Sequence, residues 1–170
     1  MNEYDLNKLI NSPTLVDRNI NKQTEKGLLL KHNKDLKEIE GHILKAEHNI
    51  RFVNKIFKLN FSDWAITGCY YASYHAALAL IMTKGYSSKN HLATLCVLIK
   101  EFYNKGLTRE DIEILVNLLD YQDILFYVES KKKREGAAYS TKTSFNNKDV
   151  EQLRMKAVLF VSKIKEMIEN

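Results

Sequence analysis

Residues 35–59 read DLKEIEGHILKAEHNIRFVNKIFKL. Within them Ile39, Ile43, Ala46, Ile50, Val53 and Phe57 recur at spacings of 4, 3, 4, 3 and 4, the period of one apolar helical stripe. Lys37, Glu40, Lys45, Glu47, Arg51 and Lys55 fall on the other side and make a solvated face. The spacing predicts a long amphipathic helix over 35–59. An apolar stripe of that length must be buried by partner helices, so the stretch sets the fold class.

Downstream, Asn60-Phe61-Ser62-Asp63 breaks the pattern, with Ser62 the expected cap of a second helix that stops at Gly85. That helix has two apolar stripes, Trp64-Tyr71-His75-Leu78-Met82 and Ile66-Tyr70-Tyr74-Ala77-Ile81. Two sticky faces require several packing partners or a neighbouring chain. From Trp64 to Thr83 the chain has twenty residues without Asp, Glu, Lys or Arg, long enough to span a bilayer. Thr67, Gly68, Ser73, His75 and three tyrosines interrupt the run, so it reads as a helix at the centre of a bundle and no membrane association is expected.

Tyr86-Ser87-Ser88 reads as a turn, with Ser88 capping a third helix whose stripe is Leu92, Leu95, Ile99, Phe102 and Tyr103. Thr108 with Asp111 resembles a capping box for a fourth helix carrying Ile112, Leu115, Leu119 and Phe126 to about Lys133. Asn147 is the expected cap of a last helix with Val150, Leu153, Ala157, Phe160, Ile164 and Met167. No run alternates with period two for long enough to be a strand. Short loops between long helices predict an all-α, antiparallel up-and-down helical bundle of four to five helices over 35–169. Residues 1–34, punctuated by Asn, Pro13 and Gly27, read as an N-terminal extension packed on the bundle. Short helices are expected in it near Leu15–Ile20 and Glu25–Lys31.

The 170 residues fit one domain, and 45% apolar content excludes a disordered chain. The net charge of +5 is a mild excess that suits an anionic partner without requiring one. Cys69 and Cys96 lie in apolar sequence and read as buried, reduced thiols, and the polar, acidic start points to a cytoplasmic protein. No C-x-x-C or H-x-x-x-H pair exists, so no metal or other cofactor is expected. Phosphate loops of the G-x-x-x-x-G-K-[ST] or G-x-G-x-x-G type are absent. Among the histidines, His75 on an apolar stripe reads as a hydrogen-bonded core residue. His91, in the first turn of its helix, is a candidate beside a cleft. Folding the third helix back on the second about residue 86 or 87 would put His91 near Met82 and His75 near Leu98. The strongest charge feature is Lys131-Lys132-Lys133-Arg134, followed by a loop bearing Tyr139, Ser140, Thr141 and Thr143. The cations complement a helix C-terminus, and together with the hydroxyls they make a candidate phosphate-contacting edge. Lys131, Lys132, Lys133, Arg134, Tyr139 and Thr141 are its ligand-binding candidates.

Asp63-Trp64-Ala65, Tyr70-Tyr71-Ala72-Ser73-Tyr74-His75-Ala76-Ala77, Gly85-Tyr86, Ser88-Lys89-Asn90-His91 and Arg134 with Ala138-Tyr139 together resemble the HEPN domain family. The resemblance spans roughly residues 35–169. It implies a helical bundle, commonly a homodimer, linked to RNA, to nucleotides or to toxin–antitoxin pairs with a small nucleotidyltransferase. Active members of that family are metal-free endoribonucleases with an arginine, four to six residues, then a histidine. Here Arg134 fits the arginine, but Tyr139 stands five residues on, and none of the five arginines is followed by a histidine at that spacing. Tyrosine titrates near pH 10 and is a poor general base at neutral pH. The resemblance with this departure implies a non-catalytic nucleotide- or RNA-associated binding or partner-interaction module. The alternative is a divergent metal-independent endoribonuclease using Arg134 with Tyr139 or His91.

Overall fold

A computed structural model describes residues 3–118 and 145–170. In chain order the elements are α1 (Glu3–Ile10), α2 (Pro13–Glu25), β1 (Leu29–Lys31), α3 (Leu36–Ile56), α4 (Ser62–Met82), β2 (Tyr86–Ser88) and α5 (His91–Phe102). Helical residues 109–118 belong to α6, and α7 is Asn147–Glu169. The fold is an all-α bundle with a two-stranded ribbon attached. Asp35 opens α3 by accepting the backbone N–H groups of Lys37 and Glu38, which satisfies two donors of the first turn. A single 3₁₀ turn at Phe57–Leu59 extends the helix, and Asn60, in the left-handed region at φ 62°, reverses the chain into α4.

Most positions of the α3, α5, α6 and α7 stripes bury as their spacing predicts, whereas Trp64 and Tyr71 of the first α4 stripe stay exposed. Ile39, Ile43, Ala46 and Val53 of α3 are in the core, as are Leu95, Ile99 and Phe102 of α5, Ile112 and Leu115 of α6, and Val150, Leu153, Ala157, Phe160 and Ile164 of α7. Helices α3 and α4 run antiparallel and lie unusually close at Gly68, where a Cβ would sit 2.5 Å from Val53 Cγ2. Helix α7 lies across both. Arg154 bonds Asn54 and Glu151, Lys165 pairs with Glu47 at 2.7 Å, and the Ser62 hydroxyl meets Asn147 Oδ1 at 3.4 Å. Those contacts run α7 antiparallel to α3 and parallel to α4. Thr108 and Asp111 form the expected capping box: Asp111 accepts the Thr108 N–H at 2.7 Å, and Thr108 Oγ1 accepts the Asp111 N–H at 3.4 Å. Asp111 also accepts from Lys163 of α7, which ties α6 to the bundle.

Several local expectations are corrected. The helix expected over Glu25–Lys31 does not form: α2 ends at Glu25, Gly27 at φ 67° closes it with bonds from Gly27 N–H to Thr24 and from Leu28 N–H to Gln23, and the chain leaves extended. It pairs as β1 with β2, antiparallel, Leu29 opposite Ser88 and Lys31 opposite Tyr86. Tyr86–Ser88 is therefore a strand and not a turn. Gly85, at φ 75°, lies where a Cβ would meet the His32 carbonyl at 2.6 Å, so the ribbon closes only over glycine. The caps also shift. Ser62 is the first residue of α4 and caps nothing, Asn90 rather than Ser88 caps α5 through the Ala93 N–H, and Asn146 rather than Asn147 caps α7. Helix α1 and the first half of α2 add Leu6, Leu9 and Val16 to the core. Among the described residues no helix is long and apolar enough to cross a membrane.

Two measurements probe this frame. Gly68→Ala gains about 1 kcal/mol of helix propensity, but its methyl group collides with fully buried Val53. Overpacking of that kind costs about 1–3 kcal/mol, so urea unfolding should show a net loss of stability. Asp111 carries the second. Burial alone would raise its carboxyl pKa, but the Lys163 and Thr108 bonds outweigh burial and hold it below its ordinary value. A depressed carboxyl stabilises the fold fully above its unfolded pKa and loses that contribution as pH falls through the folded one. The Tm advantage of the native chain over Asp111→Asn should therefore be constant near neutrality and shrink progressively below about pH 4.

Candidate functional site

Helix α4 carries the residues on which the site is built. It has almost no polar face, and fourteen of its positions, including Cys69, Tyr70 and Ser73, are buried. Tyr70 is 5% exposed and aims its hydroxyl at His91, the first residue of α5, with 3.2 Å between Tyr70 Oη and His91 Nε2. Tyr74, one turn on, stacks parallel to Tyr70 with ring centroids 5.8 Å apart, and His91 meets the Tyr74 ring edge-on at 4.6 Å. Burial pushes the Tyr74 phenol above its ordinary value, partly offset by the Thr94 hydroxyl, so Tyr74 stays protonated at neutral pH. Tyr71 leans on Tyr70 at 4.9 Å and is 40% exposed. The arrangement is an aromatic cluster with an imidazole at its solvent edge. Its exposed members are the Tyr71 ring and His91, while the Tyr70 and Tyr74 hydroxyls are engaged with His91 and Thr94.

His91 is therefore beside Tyr70 and Tyr74 and not beside Met82. The reason is the connection from Thr83 to Asn90, which contains β2 and is held by β1, so α5 does not fold back on α4 about a tight turn. His75 faces away from this cluster, onto α3. Its Nδ1 lies 2.9 Å from His42 Nδ1, with the rings tilted by 37° and their centroids 5.1 Å apart. His75 is hydrogen-bonded as its stripe predicts, but it is half-buried at the seam and not in the core. Burial, then the neighbouring His42 and Lys45, push its pKa down to about 4, and burial lowers that of His42 against the pull of Glu38. Both rings are neutral at physiological pH. The His42 partner escaped sequence reasoning, although the signal was present: residues 42 and 75 are equidistant from the break near 58–59.

The other sequence candidates divide cleanly. Cys69 and Cys96 are free, buried thiols whose pKa values are pushed up to about 12 by burial, so neither is a nucleophile at neutral pH. Among the described residues no group of three or more His, Cys, Asp and Glu side chains is placed to hold a metal ion. Lys131, Lys132, Lys133, Arg134, Tyr139 and Thr141 lie outside the described residues.

An all-α bundle whose central apolar helix presents a Tyr-Tyr-Ala-Ser-Tyr-His run defines the class of protein. The model of the HEPN domain matches residues 39–167, and the chain belongs to the HEPN domain family. It is 26% identical over 132 residues to "Putative toxin MJ0142" of Methanocaldococcus jannaschii, covering 78% of this chain and 82% of the relative. It is 27% identical over 139 residues to "Putative toxin MJ0605" of the same organism, covering 81% and 95%. A UPF0332 protein of Archaeoglobus fulgidus is 29% identical over 86 residues, 51% of this chain and 69% of its own length. Among solved structures, TT1696 from Thermus thermophilus superposes with a TM-score of 0.57 at 16% identity, covering 75% of this chain and 96% of that one. That likeness supports the fold.

The Tyr70–His91 bond makes a direct test available. Tyr70→Phe keeps the buried ring and removes only the hydroxyl. Loss of one such bond should lower unfolding free energy by about 0.5–1.5 kcal/mol, measured by urea titration. The helical circular dichroism should be unchanged.

Proposed function

We propose that this chain is a toxin-like HEPN module that binds a nucleotide or RNA, or a partner protein, without cleaving it. The observation that carries this reading is the tyrosine, Tyr139, that stands where a histidine would follow Arg134, and the engagement of His91 with Tyr70 supports it. The His91 Nε2 is engaged by the Tyr70 hydroxyl inside the aromatic cluster: as acceptor its lone pair is used there, and as donor its lone pair lies on Nδ1. A ribonuclease of the family's active kind needs an imidazole within reach of an arginine and able to accept a proton from a ribose hydroxyl. The sequence supplies tyrosine where that imidazole would follow Arg134. What remains is an anion-holding edge, Lys131, Lys132, Lys133 and Arg134, with Tyr139 and Thr141 as hydroxyl donors. The names of the two Methanocaldococcus jannaschii relatives support the toxin-like setting. A small nucleotidyltransferase is the partner this setting favours.

A homodimer is part of the same reading. Trp64, at 56% exposure, and Tyr71 lie at i and i+7 on α4, and Phe52 of α3 seats over Gly68 between them. Together they make an exposed apolar strip among the described residues. A second copy would bury it.

Filter binding of RNA and nucleotides across a salt series tests the proposal. Affinity that falls with salt, and falls further in Arg134→Ala with Tyr139→Phe, is expected. No affinity, or affinity indifferent to both substitutions, rejects the edge. Incubation with single-stranded RNA in EDTA separates the rival: cleavage that disappears with Arg134→Ala would replace binding with catalysis.

A further inference from the structure

We propose that the cavity between the N-terminal helices and α5 binds a hydrophobic α-amino acid, with the ligand's side chain on an apolar wall and its two charges on the Asp17–Lys100 ion pair. The proposal is independent of the function proposed above. The cavity has a volume of about 290 Å³, at the lower end of the range for small-molecule pockets. Leu9 and Pro13 at the α1–α2 corner, Val16 of α2 and Ile99 of α5 supply its apolar wall. Leu9, Val16 and Ile99 belong to the core, so the bundle supports that wall from behind. Asp17 and Lys100 line the same cavity. Their contact, 2.6 Å from Lys100 Nζ to Asp17 Oδ1, ties α2 to α5, and the side chains are 53% exposed at Asp17 and 43% at Lys100. Five of the lining residues precede residue 39, where the family match begins, so the cavity lies largely outside the family's domain.

The ion pair sets the chemistry of the ligand. An ammonium group has three donors, and a carboxylate has two acceptor oxygens. Among the described residues the pair uses one donor and Oδ1, which leaves two donors of Lys100 and Oδ2 of Asp17 for a ligand. The Asp17 bond holds the Lys100 pKa above its ordinary value, so the ammonium stays charged. A ligand with only a carboxylate is drawn to Lys100 and opposed by Asp17, and a simple amine meets the reverse. A molecule with both charges on one carbon avoids both conflicts. Its carboxylate lies on Lys100 and its ammonium on Asp17, so the four charges alternate and the protein's own pair stays closed. Glu101, the other charged group that acts on Lys100, does not line the cavity. The carbon that bears both charges also bears the side chain, which is free to cover Leu9, Val16 and Ile99. A branched or aromatic side chain gains there by burial, and glycine has nothing to bury. Half-exposed charges are screened by water, so the affinity is modest, high-micromolar to millimolar.

Heteronuclear NMR of the full chain, titrated with L-leucine and with L-phenylalanine, tests it. The expected result is saturable shift changes centred on Leu9–Asp17 and Ile99–Tyr103, with a Tm that rises with leucine concentration. Glycine, isocaproate (leucine without its ammonium) and isoamylamine (leucine without its carboxylate) should each bind at least about fivefold more weakly than leucine. Asp17→Asn and Lys100→Gln should each lower leucine affinity by a similar factor and leave the helical circular dichroism unchanged. The ligand series on the native chain does not depend on any variant folding. No saturable binding of leucine or phenylalanine, shifts centred elsewhere, single-charge analogues that bind as well as leucine, or affinity unchanged in both variants would overturn the proposal.

Discussion

The close approach of α3 and α4 at Gly68 is the constraint on which the rest of the molecule depends. A hydrogen at that position lets Val53 and Phe52 press against the α4 backbone, and the two helices then share one register about the Phe57–Asn60 reversal. That register places His42 beside His75, about two turns along α4 from the glycine. It also presents a two-helix surface against which α7 is fastened at separate points, Asn147 to Ser62, Arg154 to Asn54 and Lys165 to Glu47. A wider α3–α4 spacing would break all of these contacts together, because each is short-ranged while the separation is common to them.

Helix α4 then distributes roles by angle. Successive residues of an α-helix point about 100° apart, so neighbours in sequence serve different partners. Tyr70 and Tyr74 turn to α5 and meet His91; His75 turns to α3 and meets His42; Trp64 and Tyr71 remain at the surface. A helix with so few charges folds only because almost every side has a protein neighbour. The exposed aromatic strip is the exception.

Most of the helical frame was legible in the sequence, because each long helix carries an apolar period that only one conformation can bury. The ribbon was not. Three-residue strands are too short to display alternation, and β1 exists because Gly27 ends α2 and Gly85 tolerates the His32 carbonyl, both features of backbone rather than pattern. The caps missed by one or two residues for a related reason. Ser88 and Asn90 are both good cap formers, and only the strand pairing of Ser88 decides between them. For the site, the family residues on α4 and at His91 were readable, but their grouping was not. The equidistance argument fails across Thr83–Asn90, which is no tight turn, and holds across the short α3–α4 reversal, where it gives the histidine pair.

The pair and the exposed strip are close enough to influence one another. Tyr71 precedes His75 by one turn of α4, and Phe52 follows His42 by ten residues, about 15 Å along α3. A link between Nδ1 atoms at one end of the seam limits how far α3 and α4 can slide, and sliding is the motion that would most disturb the seating of Phe52 over Gly68. Whatever strengthens the histidine link therefore fixes the shape of the strip, and whatever covers the strip holds the seam closed around the histidines. The histidine hydrogen bond and the packing of Phe52 over Gly68 thus hold the same seam at two points along it.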